Sequence, residues 1–150
     1  MNSASLDTPV GPLSVAEQDG VIVGLSWSSQ TSGQSPVLDR ALAQLRAYFA
    51  GELVAFDLPL WVRGSDFQRA VCASMMEIPW GETRTYGDIA RDLGTASQPV
   101  GAACGSNPIP VIIPCHRVLS ASGLGGFSGA GGVETKVFLL KHERVAGLLI

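Results

Sequence analysis

The chain has 150 residues, 46% hydrophobic and 15% charged, with 18 glycines and a formal net charge of −3. That is too apolar for a disordered chain, and no apolar run approaches the roughly 18 residues a membrane-spanning helix needs. Residues 1–63 hold three Arg against six carboxylates and residues 64–150 hold seven basic against seven acidic groups, so composition gives no ground for strong non-specific binding to nucleic acid.

Three cysteines, Cys72, Cys104 and Cys115, make an odd, sparse set. Such a set suits a reducing cytosol better than a disulfide framework. The opening Met1-Asn2-Ser3-Ala4-Ser5-Leu6-Asp7 has neither a basic n-region nor an apolar h-region, so a cytoplasmic protein is expected.

Residues 8–16 read as an edge strand, Asp19-Gly20 as a hairpin turn and residues 21–27 as the partner strand, because Asp-Gly supplies the positive φ such turns demand. Residues 38–49 place Leu38, Ala41, Leu42, Leu45, Tyr48 and Phe49 at helical spacing, and Gly51 stops the helix. Residues 54–60 are expected as a third strand. This first region, 1–63, reads as a small α/β domain. It contains neither Cys nor His, which leaves no ligands for a zinc site.

Residues 64–150 read as a second, mainly helical domain. Ser65 or Asp66 caps a helix from Phe67 to about residue 76, with Phe67, Ala70, Val71 and Ser74 on one face. Pro79-Trp80-Gly81-Glu82 is a turn. A short helix over 87–93 stops at Gly94, and Thr95 or Ser97 caps a second reaching Cys104-Gly105. From spacing alone this pair is a helix-turn-helix or an ordinary helical hairpin.

The segment Asn107-Pro108-Ile109-Pro110-Val111-Ile112-Ile113-Pro114-Cys115-His116-Arg117-Val118 follows. Three prolines forbid a helix and bias their neighbours toward extended geometry. A stiff extended strut delivering Cys115 to a defined place is therefore expected. A base and a cation beside a thiol can lower its pKa toward neutrality. Adjacent residues on an extended chain face opposite ways. His116 should then reach Cys115 through a water, unless the chain turns there. Residues 119–132 are a glycine-rich loop without the Gly-Lys-Ser/Thr of a phosphate-binding loop or the third glycine of a dinucleotide fingerprint. Residues 133–143 form a closing helix.

The motif Pro114-Cys115-His116-Arg117-Val118, with Gly105-Ser106-Asn107-Pro108-Ile109-Pro110 before it, resembles the O6-alkylguanine-DNA alkyltransferase family. So do Phe67-Gln68, Ile78-Pro79-Trp80-Gly81-Glu82-Thr83, Thr85-Tyr86-Gly87, Gly125-Gly126-Phe127-Ser128-Gly129 and Leu139-Leu140-Lys141-His142-Glu143. The resemblance is dense from Phe67 to Glu143 and looser before that. It implies a small α/β domain with an antiparallel sheet, then a helical domain with a helix-turn-helix. It implies irreversible, single-turnover transfer of the alkyl group from O6-alkylguanine in DNA to Cys115, with O4-alkylthymine a further candidate lesion.

The resemblance also assigns roles. Glu143 orients His116, which deprotonates Cys115 through a water; Tyr86 donates to the leaving base, and Asn107 braces the turn before the cysteine. Ser128 meets O6, the carbonyls of Cys115 and Val118 accept from the exocyclic amine, and Phe127 and Gly129 wall the pocket. Lys136 either adds positive potential there or is a solvated helix lysine. The second helix of the pair would enter the minor groove of double-stranded DNA and leave the damaged guanine flipped, with Gln98, Thr85, Ser97, Ala102 and Gly105 on the DNA side. Relatives carry an arginine where Gln98 stands and usually Trp where Cys72 stands. The implied protein is a monomer with no cofactor, metal or membrane. Two other readings compete: a sensor of alkylated DNA that transfers nothing, kept in view by Gln98, and a cysteine hydrolase built on Cys115, His116 and Glu143.

Overall fold

The computed structural model describes residues 1–147. The chain separates into two compact units, Met1–Val62 and Arg63–Ile150.

The first unit is an antiparallel sheet in the order β1 (Asn2–Thr8), β2 (Gly11–Gln18), β3 (Val21–Ser26), with one helix, α1 (Pro36–Phe49). Leu6 pairs with Leu13 and Ala4 with Val15, which puts their side chains on the buried face. Asp19 and Gly20 both have positive φ and close the β2–β3 hairpin. In α1, Leu38, Ala41, Leu45 and Tyr48 are buried along one stripe. Ser35 caps it by accepting from the Leu38 N–H at 3.2 Å.

The third strand is not where it was expected. Residues 54–60 form no strand, and Leu60 makes only an isolated bridge to Ile22. Pro59 has no N–H for a ladder, so the contact reduces to Ile22 N–H on the Pro59 carbonyl and Trp61 N–H on the Ile22 carbonyl. The third strand is instead β1. Its alternation rests on Ser3, Ala4 and Ser5, residues too small to signal burial, with Leu6 as its one large apolar side chain.

The second unit contains α2 (Asp66–Met76), β4 (Arg84–Thr85), α3 (Tyr86–Leu93), α4 (Ser97–Gly105), a 3-10 turn (Cys115–Arg117), β5 (Val118–Leu119) and α5 (Val133–His142). Ser65 caps α2 through the Gln68 N–H. The buried face of α2 is Gln68, Val71, Cys72, Ser74 and Met75, turned from the expected one so that Gln68 Nε2 donates to the Ala103 carbonyl of α4 at 2.8 Å. Cys72 fills core, as expected of a buried thiol. Thr85 and Asp88 form a reciprocal capping box on α3, and Gly94 ends it in the left-handed region. Neither Thr95 nor Ser97 caps α4; Ala96 holds the cap position without a side-chain bond. Pro99, third in the helix, has no N–H for a cap to bind.

The straight strut is also corrected. Residues 109–118 are buried, but the chain doubles back at Val111, whose φ is 72°. The Ile113 N–H donates to the Ile109 carbonyl at 2.9 Å. Asn107 replaces the missing ladder: its Nδ2 donates to the Ile113 carbonyl at 2.8 Å and its Oδ1 accepts from the Ile109 N–H at 3.0 Å. Prolines excluded a helix without dictating a straight path, and a β-branched residue at positive φ is costly.

Candidate active site

A cavity of about 430 Å³ opens in the second unit, lined by Tyr86, Gly101, Cys104, Gly105, Cys115, Gly126, Phe127 and Ser128. That size suits a small organic ligand. Five of these, Tyr86, Gly105, Cys115, Phe127 and Ser128, were singled out from the sequence. Three elements bring them together: the start of α3, one face of α4 and the turn after Pro114, with the glycine-rich loop laid across. The loop lies close to Tyr86. A Cβ on Gly125, whose φ is +72°, would come within 2.8 Å of the phenolic oxygen, so only glycine fits there.

Behind Cys115 lies a buried polar group. His116 and Glu143 are fully buried and joined, Nε2 to Oε2, at 2.7 Å. Glu143 follows α5 directly, at its C-cap. Burial pushes the His116 imidazole below its ordinary 6.5, although the Glu143 hydrogen bond and charge pull the other way. The pair is therefore a hydrogen bond from a neutral ring, not an ion pair. A carboxylate only accepts, so Nε2 carries the proton and Nδ1 presents a lone pair. Nδ1 is buried and has no hydrogen-bond partner among the described residues.

Arg117 completes the group. Its Nε donates to Glu143 Oε1 at 2.7 Å, its Nη2 to Oε2 at 3.0 Å and its Nη1 to the Ile78 carbonyl at 2.6 Å. Burial alone would raise the Glu143 carboxyl, but the bonds from His116 and Arg117 outweigh it and hold the group down at about 2. This alters the expected part of Arg117. Its charge is matched by Glu143 and does not serve the thiol. Cys115 itself is pushed up by burial, with the Asn107 hydrogen bond and the Lys136 charge opposing. The sulfur is a thiol until a base takes its proton, contrary to the lowered pKa expected from its neighbours.

Lys136 is fully buried, which excludes the solvated reading. Its Nζ donates to the Val118 carbonyl at 2.7 Å and the Gly126 carbonyl at 3.0 Å, and sits 5.9 Å from the Tyr86 ring centroid. Burial brings its pKa down to about 8. The Tyr86 hydroxyl is raised by burial and by the neighbouring Cys104, so it stays a donor. Cys104 is pushed up to about 12, mainly by burial.

The remaining expected residues lie elsewhere. Thr85 is engaged as the α3 cap. Ser97, Gln98 and Ala102 are exposed on α4. Gly129 does not line the cavity; its carbonyl accepts from the Gly132 N–H. Reading the sequence missed the Arg117–Glu143 pair, which spans 26 residues, and missed Gly101 and Cys104. The latter two carried a signal, since positions 101, 104 and 105 share a helix face.

The chain matches two family models: the 6-O-methylguanine DNA methyltransferase ribonuclease-like domain over residues 1–62 and the DNA binding domain of the same family over residues 66–145. It is 44% identical to a Mycobacterium bovis methylated-DNA–protein-cysteine methyltransferase, covering 93% of this chain and 90% of that protein. With the protein of that name from Methanosarcina acetivorans it shares 41% identity, covering 95% and 98%. Among solved structures, it is similar to the Mycobacterium tuberculosis OGT in complex with DNA, with a TM-score of 0.87 and 44% identity over 96% of this chain and 93% of that one.

Proposed function

The chain belongs to the 6-O-methylguanine DNA methyltransferase family, and on that footing we propose that it repairs DNA by moving the alkyl group of an O6-alkylguanine onto the Cys115 sulfur. The observation that carries this is the arrangement behind the cavity: a buried thiol, next to it a neutral imidazole with its Nε2–H committed to Glu143, and an Nδ1 lone pair that no described residue engages.

The steps follow from that tautomer. His116 Nδ1 takes the Cys115 proton through a bridging water, as Glu143 stabilises the imidazolium that forms. The sulfur attacks the alkyl carbon; the S–C bond forms as the C–O6 bond breaks. The electron pair goes to the guanine, which takes a proton from Tyr86. The phenol is suited to this because it remains protonated in its buried setting. Ser128 stands at the cavity edge to meet O6, and Phe127 supplies a ring wall. The Val118 carbonyl has one lone pair on Lys136 and a second for the exocyclic amine. The thioether has no return path, so each molecule acts once.

The base must leave the duplex to reach Cys115. α4 is the element we assign to the minor groove, because its exposed side chains are uncharged and, apart from Gln98 near its start, small. The cavity and every group assigned to the chemistry belong to one unit, which supports action as a monomer. The sensor reading is not favoured, because the nucleophile and its base are both present. A hydrolase reading leaves the α3–α4 pair without a role.

A benzylguanine probe tests the proposal. One covalent label per chain is expected, on the Cys115 peptide, and none in Cys115→Ser. Multiple turnover of an ester, or loss of the lesion from DNA with Cys115 unmodified, would overturn it.

A further inference from the structure

The α4 wall of the cavity has a feature that packing does not explain. Gly101 and Gly105 both line it, and neither has positive φ. A Cβ on Gly105 would meet nothing within 4 Å, and one on Gly101 would meet only the Tyr86 ring at 4.0 Å. Glycine is a poor helix former, and Gly101 stands in the middle of α4. Neither backbone conformation nor crowding requires the two glycines. Between them on the same face stands Cys104, buried and also lining the cavity, with its sulfur 3.6 Å from Met75 Sδ.

Cys104 cannot compete for the alkyl group. Burial raises its thiol to about 12, and its hydrogen-bond partner is the Met75 thioether rather than a base. It is a compact neutral wall beside the reacting sulfur, and the glycines on either side keep the wall thin. We infer that the Gly101–Cys104–Gly105 face of α4 sets the largest O6 substituent the cavity accepts, with Cys104 as its size-determining residue. The inference rests on the alkyl-transfer reading and deepens it. The substrates it points to are guanines bearing O6 groups bulkier than methyl, such as benzyl. Filling the face with carbon should exclude those first and leave methyl transfer the less affected.

The test compares O6-benzylguanine and O6-methylguanine placed at the same position of one duplex, so that changes in DNA affinity cancel in the ratio of transfer rates. Cys104→Leu is expected to lower the benzyl-to-methyl ratio about tenfold or more, the scale of one or two methylenes in an apolar pocket. Cys104→Ala should hold or raise it. Gly105→Ala, whose new methyl has no described residue beyond its own helix backbone and chain neighbours within 4 Å, should lower it too, and decides the matter if the leucine variant does not fold. Ratios within about twofold of the parent in both Gly105→Ala and a folded Cys104→Leu would overturn the inference. Absence of transfer from either lesion in the parent protein would instead strike the alkyl-transfer reading itself.

Discussion

Glu143 satisfies two buried partners at once, fixing the tautomer of His116 and neutralising Arg117. Removing its charge strands Arg117 in a dry setting, where breaking a buried pair costs about 3–5 kcal/mol. Glu143→Gln is therefore expected to lose stability of that order and to slow transfer roughly a hundredfold. Acid sensitivity follows the same residues. Glu143 is held at about 2 against an ordinary 4.5, so its contribution is complete above pH 4.5 and drains away as pH falls toward 2. His116 adds to the loss below pH 6.5, because the unfolded ring takes up a proton that the buried ring resists. Urea titrations across pH should show a flatter profile between 4.5 and 2 in Glu143→Gln; parallel profiles would contradict the assignment. Lys136 clasps the carbonyls of Val118 and Gly126. Lys136→Met should slow transfer about tenfold and speed amide exchange in residues 119–132, since both carbonyls lose a charged donor. Unchanged exchange there would refute the clasp.

At the scale of elements, the α3–α4 pair carries the DNA-facing prediction. Gln98 brings a hydrogen-bonding amide without charge. Gln98→Arg should accelerate transfer mainly on duplex substrate, where a base must be displaced, and little on single strands. An equal gain on both would deny position 98 a flipping role. How well these elements could be read varied with how local their causes are. Thr85, Asp88 and Gly94 announce α3 because a cap, its reciprocal acid and a left-handed stop all lie within ten residues. Nothing local announces the reversal at Val111, where a β-branched residue takes a φ of 72° because Asn107 and the surrounding core require it. β1 hid behind serines and an alanine. In the site, Cys115 and His116 stood out by adjacency, and Glu143 through resemblance. Arg117 was visible, but its partner was not, because no pattern links residues so far apart.

For the whole molecule, the two units divide the work unevenly. The first carries the surplus negative charge, contains neither Cys nor His, and has no metal ligand set among the described residues. We take the junction near Arg63-Gly64-Ser65, exposed and with Gly64 at φ +128°, as the boundary between separately folding domains. Limited trypsin digestion should nick first after Arg63, with the two fragments identified by mass spectrometry; earlier cleavage at Arg117, which is buried, would contradict it.

The order in which the chain is made gives the Glu143 contact one more consequence. Cys115, His116 and Arg117 leave the ribosome before the carboxylate that His116 must hold, 27 positions ahead of it. At ordinary synthesis speeds that gap lasts roughly 1–5 s. During it the nascent sulfur has an unsteered imidazole for a neighbour and no formed cavity to hold a purine against it. Assembly of the thiol, imidazole and carboxylate therefore waits on the last helix of the chain.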